Sequence, residues 1–196
     1  IVFLGCEEGS ITGKPQQEAN FKLATGETKE YPVWCDLIKS AEFIPLETTD
    51  ASLVGEIREV IIWKDEIIIW DNANFKLLRF GRDGRFKNLI AEPGLSPGQY
   101  QALNDIYFDT LTTTLHCLDP ATQKVRVFDL QGNFLRYGFS FEEHQLTPMS
   151  MRFFDEKVYA FTPPLFNKRD EYLIHKFNNK GTLENRFFPS THPIYN

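Results

Sequence analysis

Three stretches of this chain align on one another without a gap: LLRFGRDGRFKNL (77–89), VRVFDLQGNFLRY (125–137) and IHKFNNKGTLENR (174–186). Phe80, Phe128 and Phe177 recur at intervals of 48 and 49 residues, and Gly84, Gly132 and Gly181 keep the same two intervals. In each copy an apolar run meets a polar turn whose glycine can take positive φ, and a second run returns, which is the pattern of a β-hairpin. Upstream of the hairpins, DEIIIWD (65–71), TTLHCLD (113–119) and EKVYAFT (156–162) occupy one place in the unit, and IREVIIW, LNDIYFD and SMRFFD precede them as further short apolar runs. Four strands repeated at this period describe the blade of a β-propeller. A β-sandwich also spaces its strands regularly, but nothing in it calls for one strand-turn-strand phrase three times at a constant interval.

The residue types agree with an all-β chain of four-stranded antiparallel blades. Phe, Trp and Tyr make up 14% of the 196 residues, 18 of them Phe, and stretches such as EVIIWKDEIIIWD are rich in the β-branched and aromatic types that suit pleated surfaces. Sheets stacked face to face bury both sides of their middle strands, so continuous apolar runs such as EIIIW are expected there rather than alternation. The units are expected over about 56–94, 102–141 and 149–189, inside a partial propeller at 43–196, with a tether and lead-in at 7–42 and a signal-peptide remnant at 1–6. From Phe161 to Phe177 there are 16 residues, where Trp70 to Phe80 and Leu118 to Phe128 are 10 apart. The third unit therefore carries an insertion within TPPLFNKRDEY, and insertions in repeat folds fall in loops, often on the binding face. Three blades are too few for a closed ring of about four to eight. Either the ring continues in a longer protein, or two half-rings associate.

The opening IVFLGCEEGS reads as the end of an apolar segment followed by a small residue and Cys6. Leu4-Gly5-Cys6 resembles the lipobox of bacterial lipoproteins, with Phe3 departing from the usual Leu, and the resemblance implies a membrane anchor through lipid on Cys6. Glu7-Glu8 resemble the surface-export signals of such lipoproteins. Cys35 and Cys117 lie far apart in unlike local patterns, so no disulfide is inferred and both are expected as buried thiols. The formal net charge is −6 and the basic residues are scattered singly, which excludes the concentrated positive surface that nucleic acid requires. No apolar run is long enough for a membrane-spanning helix.

Ile44-Pro45-Leu46-Glu47-Thr48 ahead of the first unit, and Pro97-Gly98-Gln99-Tyr100 between the first and second, resemble the IPLET strand and the GPGEY-like link of the six-bladed β-propeller lipoproteins common in Bacteroides-type bacteria. Gln99 stands where that family has Glu. The resemblance runs from residue 30 to residue 190 and implies a ring of six blades of which about three are present, in a lipid-anchored protein of the outer membrane. It also implies that EFIPLET is the strand that closes such a ring by joining its last blade; without that blade it is expected loose or docked elsewhere. The family's biochemical role is unassigned, so the resemblance speaks to fold rather than to activity.

Six-bladed rings that are lactonases or lyases gather carboxylates, Asn or His from several blades around the axis. Here the first strands offer Glu56, Glu59, Asn104, Asp105 and Arg152, a mixed set in which the sequence reveals no convergent cluster. His116 and His175 sit mid-strand as core or blade-face histidines, and His144 and His192 lie in loops. No Ser/His/Asp order and no HExxH phrase is present, and no cofactor or metal is expected. Trp70-Asp71 has the WD dipeptide without the rest of that repeat's signature, and Asp71 and Asp119, at one place in two units, read as turn-fixing residues. The binding candidates are aromatic and polar residues of the loops: Asn72, Asn74, Tyr100, Phe166 and Arg169. The function that follows is a non-enzymatic, lipid-anchored envelope scaffold for a protein or glycan ligand, with self-association if a half-ring is native. The alternative is a lactonase-like hydrolase or lyase whose site other blades complete.

Overall fold

The computed structural model describes residues 40–96, 98–163 and 172–189. Cys6, Cys35, Phe166, Arg169, His192 and most of the expected insertion lie outside them. The chain divides into two compact units, Ile1–Pro45 and Leu46–Asn196. Of the first, only residues 40–45 are described, and they belong to no helix or strand.

The second unit is built of twelve strands in chain order, in three sheets among the described residues. The first sheet holds β1 (Ile57–Trp63), β2 (Glu66–Asp71), β3 (Lys76–Gly81) and β4 (Phe86–Ala91). The second holds β5 (Asp105–Asp109), β6 (Thr114–Asp119), β7 (Lys124–Asp129) and β8 (Phe134–Ser140); the third holds β9 (Ser150–Phe154), β10 (Lys157–Phe161), β11 (Tyr172–Asn178) and β12 (Leu183–Pro189). Every neighbouring pair is antiparallel and each sheet follows chain order. This is the meander that the repeat predicts, in a propeller-like arrangement that forms no closed ring among the described residues.

The three hairpins that carry the repeat share one geometry. The N–H groups of Gly84, Gly132 and Gly181 donate to the carbonyls of Gly81, Asp129 and Asn178 at 2.9, 3.2 and 3.1 Å. Those glycines have φ of 82, 91 and 88°, values an L side chain resists. In each hairpin a register shift falls just before Phe80, Phe128 or Phe177, the bulge that accompanies such a glycine. The three phenylalanines are fully buried, and each such ring stabilises the fold by about 1.5–3 kcal/mol.

The sheets stack through two apolar seams. Ile68, Trp70 and Leu77 of the first sheet meet Ile106, Leu115, Cys117 and Phe128 of the second. Leu118, Val125 and Phe139 of the second meet Met151, Val158, Ala160 and Phe177 of the third. Accordingly β6, which lies between the two seams, is buried along its whole length on both faces, whereas β10 alternates, because no sheet among the described residues lies over its second face; β2 is also buried along nearly its whole length. The EFIPLET segment forms no strand. Within the second unit, Glu47 docks on the first sheet's last hairpin, its N–H reaching Gly84 O at 2.8 Å and its carboxylate accepting Phe86 N–H at 2.8 Å.

Candidate functional site

Each blade needs its second strand tied to the segment that enters its first, and Asp71 and Asp119 make that tie. Asp71, fully buried, accepts the N–H of Gly55 (3.1 Å), Glu56 (2.9 Å) and Ala73 (3.1 Å) and the side-chain amide of Asn74 (2.6 Å). Burial opposes its charge, yet these bonds together hold its carboxyl below the usual carboxylate range. Asp119 repeats the arrangement with Gln101 (2.9 Å), Ala102 (3.3 Å) and Ala121 (3.0 Å), and adds a buried pair with Arg126 at 2.6 Å. In the third sheet Thr162 and His175 replace that pair, with Thr162 Oγ1 3.1 Å from His175 Nδ1.

The starts of the three first strands come together at one end of the stack, and a charged cluster forms there that the sequence did not reveal. Asp105, at the start of β5, accepts the N–H of Met151 (2.7 Å) and the Arg152 guanidinium (2.6 Å), both from β9. Arg58 of β1 reaches Asn104 O at 3.3 Å, and its guanidinium lies 4.4 Å from the Trp70 ring centroid. The half-buried Glu59 completes the group: burial first, then the charge of Asp105, raises its carboxyl, against the opposing pull of Arg152 and Arg58. Glu59 pairs with Trp70 and Asp105 with Leu118, which are matching positions of β2 and β6, so the two acids are equivalent in the repeat. Asn104 Nδ2 stands 2.9 Å from Met149 Sδ. Glu56 stays apart, bonded through backbone and side chain to Asn72 at 2.7 and 3.2 Å.

The sequence candidates fare unequally. Asn72 and Asn74 lie together on the turn between β2 and β3, Asn74 exposed and Asn72 half-buried, each with its side-chain amide donating to a carboxylate. Tyr100 presents no surface to a ligand: it is fully buried in the seam between first and second sheets, and its hydroxyl donates to Phe75 O. The link that holds it must cross from one blade to the next, and the apolar ring fills that crossing. His116 is buried in the second seam with Nε2 3.2 Å from Thr114 Oγ1, and burial depresses it to about 4. His144 Nε2 lies 3.0 Å from Gly181 O. Cys117 is buried and burial pushes its thiol up. Among the described residues no group of three or more His, Cys, Asp or Glu stands close enough to hold a metal, and no helix is long and apolar enough to cross a membrane.

Stacked four-stranded antiparallel sheets with charged first strands converging at one end define a propeller-like repeat protein. The family model described as "Domain of unknown function (DUF4934)" matches residues 21–195, and the chain belongs to that family. No curated protein matches it. Among solved structures it is similar to a candidate exported protein of Bacteroides fragilis NCTC 9343, with TM-score 0.66, 20% identity, and coverage of 76% of this chain and 42% of that one. It is also similar to a member of the DUF4221 family from Bacteroides vulgatus ATCC 8482, with TM-score 0.51, 12% identity, and coverage of 72% and 44%. The chain thus spans less than half the length of either, and at such identities the likeness carries the fold alone.

Proposed function

We propose that the chain is a non-enzymatic binding module of the bacterial cell envelope, exported and anchored at the outer membrane through lipid on Cys6, as part of a six-bladed ring. Its ligand is a protein or a glycan. One observation carries the binding role: Arg58, Glu59, Asp105 and Arg152, from three successive first strands, meet at one end of the stack, with the Arg152 side chain 66% exposed. Asp105 is buried and its bond to Met151 N–H ties β5 to β9, but folding alone does not call for the exposed Arg152 beside it, since pairing so exposed a charge contributes about 0–1 kcal/mol. Mixed charges on rigid strands are instead suited to orienting a polar ligand. Export is supported by the description of the Bacteroides fragilis neighbour and by the lipobox-like opening.

The test is binding of purified chain to arrayed envelope proteins and glycans, beside Glu59→Gln and Arg152→Ala. A saturable ligand lost in both variants, with the melting temperature not lowered in either, supports the reading; equal binding by all three proteins sinks it. The intact mass of the membrane-extracted protein tests the anchor, which predicts a diacyl- or triacyl-modified Cys6.

A second reading rests on Glu59 itself. A raised carboxyl beside another carboxylate is a general-acid arrangement, as a lactonase-like hydrolase or lyase would use. Turnover of a lactone panel, abolished by Glu59→Gln, would favour it.

A further inference from the structure

We propose that the cleft between the first and second sheets, at the far end of β1 from the charged cluster, is a binding subsite for a neutral carbohydrate. It is separate from the site above: Trp63 on its wall ends β1, four residues beyond Glu59, or about 13 Å along a strand. The cleft measures about 480 Å³, inside the range of about 300–1,000 Å³ typical of small-ligand sites.

Its floor is rigid and polar. The Glu66 carboxylate accepts Arg79 Nε at 2.8 Å, Arg79 Nη2 at 2.7 Å and Lys87 Nζ at 2.8 Å. Arg79 Nη1 then crosses to the second sheet's loop, donating to Leu130 O at 3.2 Å. Both side chains of the Arg79–Glu66 pair are largely buried, at 14% and 16% exposure. An ion pair so far out of water is weak evidence of a stability device. The repeat makes the same point. The second sheet carries Thr114, Val127 and Leu135 at these three places, so a blade forms without the ions. The third keeps a cation at the Arg79 place, Lys176, and exchanges the other two, with Lys157 in place of Glu66 and Glu184 in place of Lys87.

The wall is aromatic and held in place. Trp63 is half-buried and packs edge-on against Phe108 of the second sheet, with centroids 5.8 Å apart. Over its face lies the ammonium of the exposed Lys64, at 5.1 Å, a contact that a sugar ring can replace. A fixed indole with carboxylate, guanidinium and hydroxyl groups around it matches the apolar faces and hydroxyl rims of a pyranose. Thr112, Thr113 and the exposed Gln131 supply the outer hydrogen-bonding groups. The charges nearly balance, Lys64 and Arg79 against Asp65, Glu66 and Asp129, which disfavours phosphate or a sulfated polymer. A peptide finds little apolar lining beyond Trp63 and Leu130 in which to seat side chains.

The experiment is a titration of the full chain with neutral gluco-, xylo- and manno-oligosaccharides, tri- to hexasaccharides, followed by calorimetry and tryptophan fluorescence. Trp63→Ala, the milder Trp63→Phe, the surface change Gln131→Ala, and Arg152→Ala in the other site are titrated beside it. The expected result is saturable binding by at least one series, weakened about tenfold or more by Trp63→Ala. Trp63→Phe and Gln131→Ala should weaken it less, and Arg152→Ala should leave it unchanged. No saturable binding across the panel overturns the proposal. So does binding that Arg152→Ala removes and the Trp63 and Gln131 variants leave intact, which would place the sugar at the charged cluster instead.

Discussion

Acidification should loosen the seam between the second and third sheets through a single imidazole. His116 is 7% exposed, packs against Tyr107 and Phe153 with ring centroids at 5.9 and 5.2 Å, and has no hydrogen-bond partner for Nδ1. The charged ring would need a partner at both nitrogens in a site sealed from water. Burial foremost, with the charge of Arg136 assisting and Asp109 opposing, holds it at about 4 instead of 6.5. The unfolded chain therefore takes up a proton at higher pH than the folded one. Stability is intact above pH 6.5, falls as the pH drops from there toward 4, and levels off below. From the two values the loss is about 1 kcal/mol by pH 5.5 and about 2.5 kcal/mol by pH 4.5, a large share of the roughly 5–15 kcal/mol that holds a domain together. Urea unfolding at pH 7, 5.5 and 4.5 measures it, with His116→Ile as reference because Ile68 fills the same place in the first sheet. Carboxylates whose bonds lower them, such as Asp71 and Asp129, lose stability in both proteins and largely cancel. The reasoning fails if wild type and His116→Ile lose stability in parallel over this range.

Other outcomes follow from single contacts. Gly132→Ala should cost about 1–3 kcal/mol by denaturant unfolding, because φ is 91° and the new Cβ would stand 2.7 Å from Leu89 O; Gly181→Ala, with only Phe139 at 3.7 Å, should cost less. Asp119→Ala should destabilise by about 3–5 kcal/mol, since it strands the buried Arg126. The pair Asp119→Thr with Arg126→His, copying Thr162 and His175, should lose less in the same unfolding assay. Glu59→Gln should raise the melting temperature at pH 7 in a thermal scan, because burial disfavours that charge in the folded state. Cys117 should resist iodoacetamide in the native protein and react only in denaturant, as peptide mass mapping would show.

Sequence alone determined the blade. Where Phe80, Phe128 and Phe177 and their partner glycines recur, the chemistry is local: a glycine admits the positive-φ turn, the turn sets the bulge, and the bulge turns the phenylalanine inward. Asp71 and Asp119 were legible as turn-fixing residues for the same reason, although their reach back to the entering strand was not. The cluster of Glu59, Asp105 and Arg152 was decided by tertiary structure. The turn from β1 to β2 takes two residues and that from β5 to β6 takes four, so Glu59 and Asp105 fall out of line in sequence while pairing at matching places in space. Tyr100 shows the converse. Its loop position and aromatic type suggest a binding surface, and only the stacking of two sheets makes it core. Contacts within one repeat are written in adjacent residues, whereas contacts between repeats depend on how the sheets stack, which no local pattern carries.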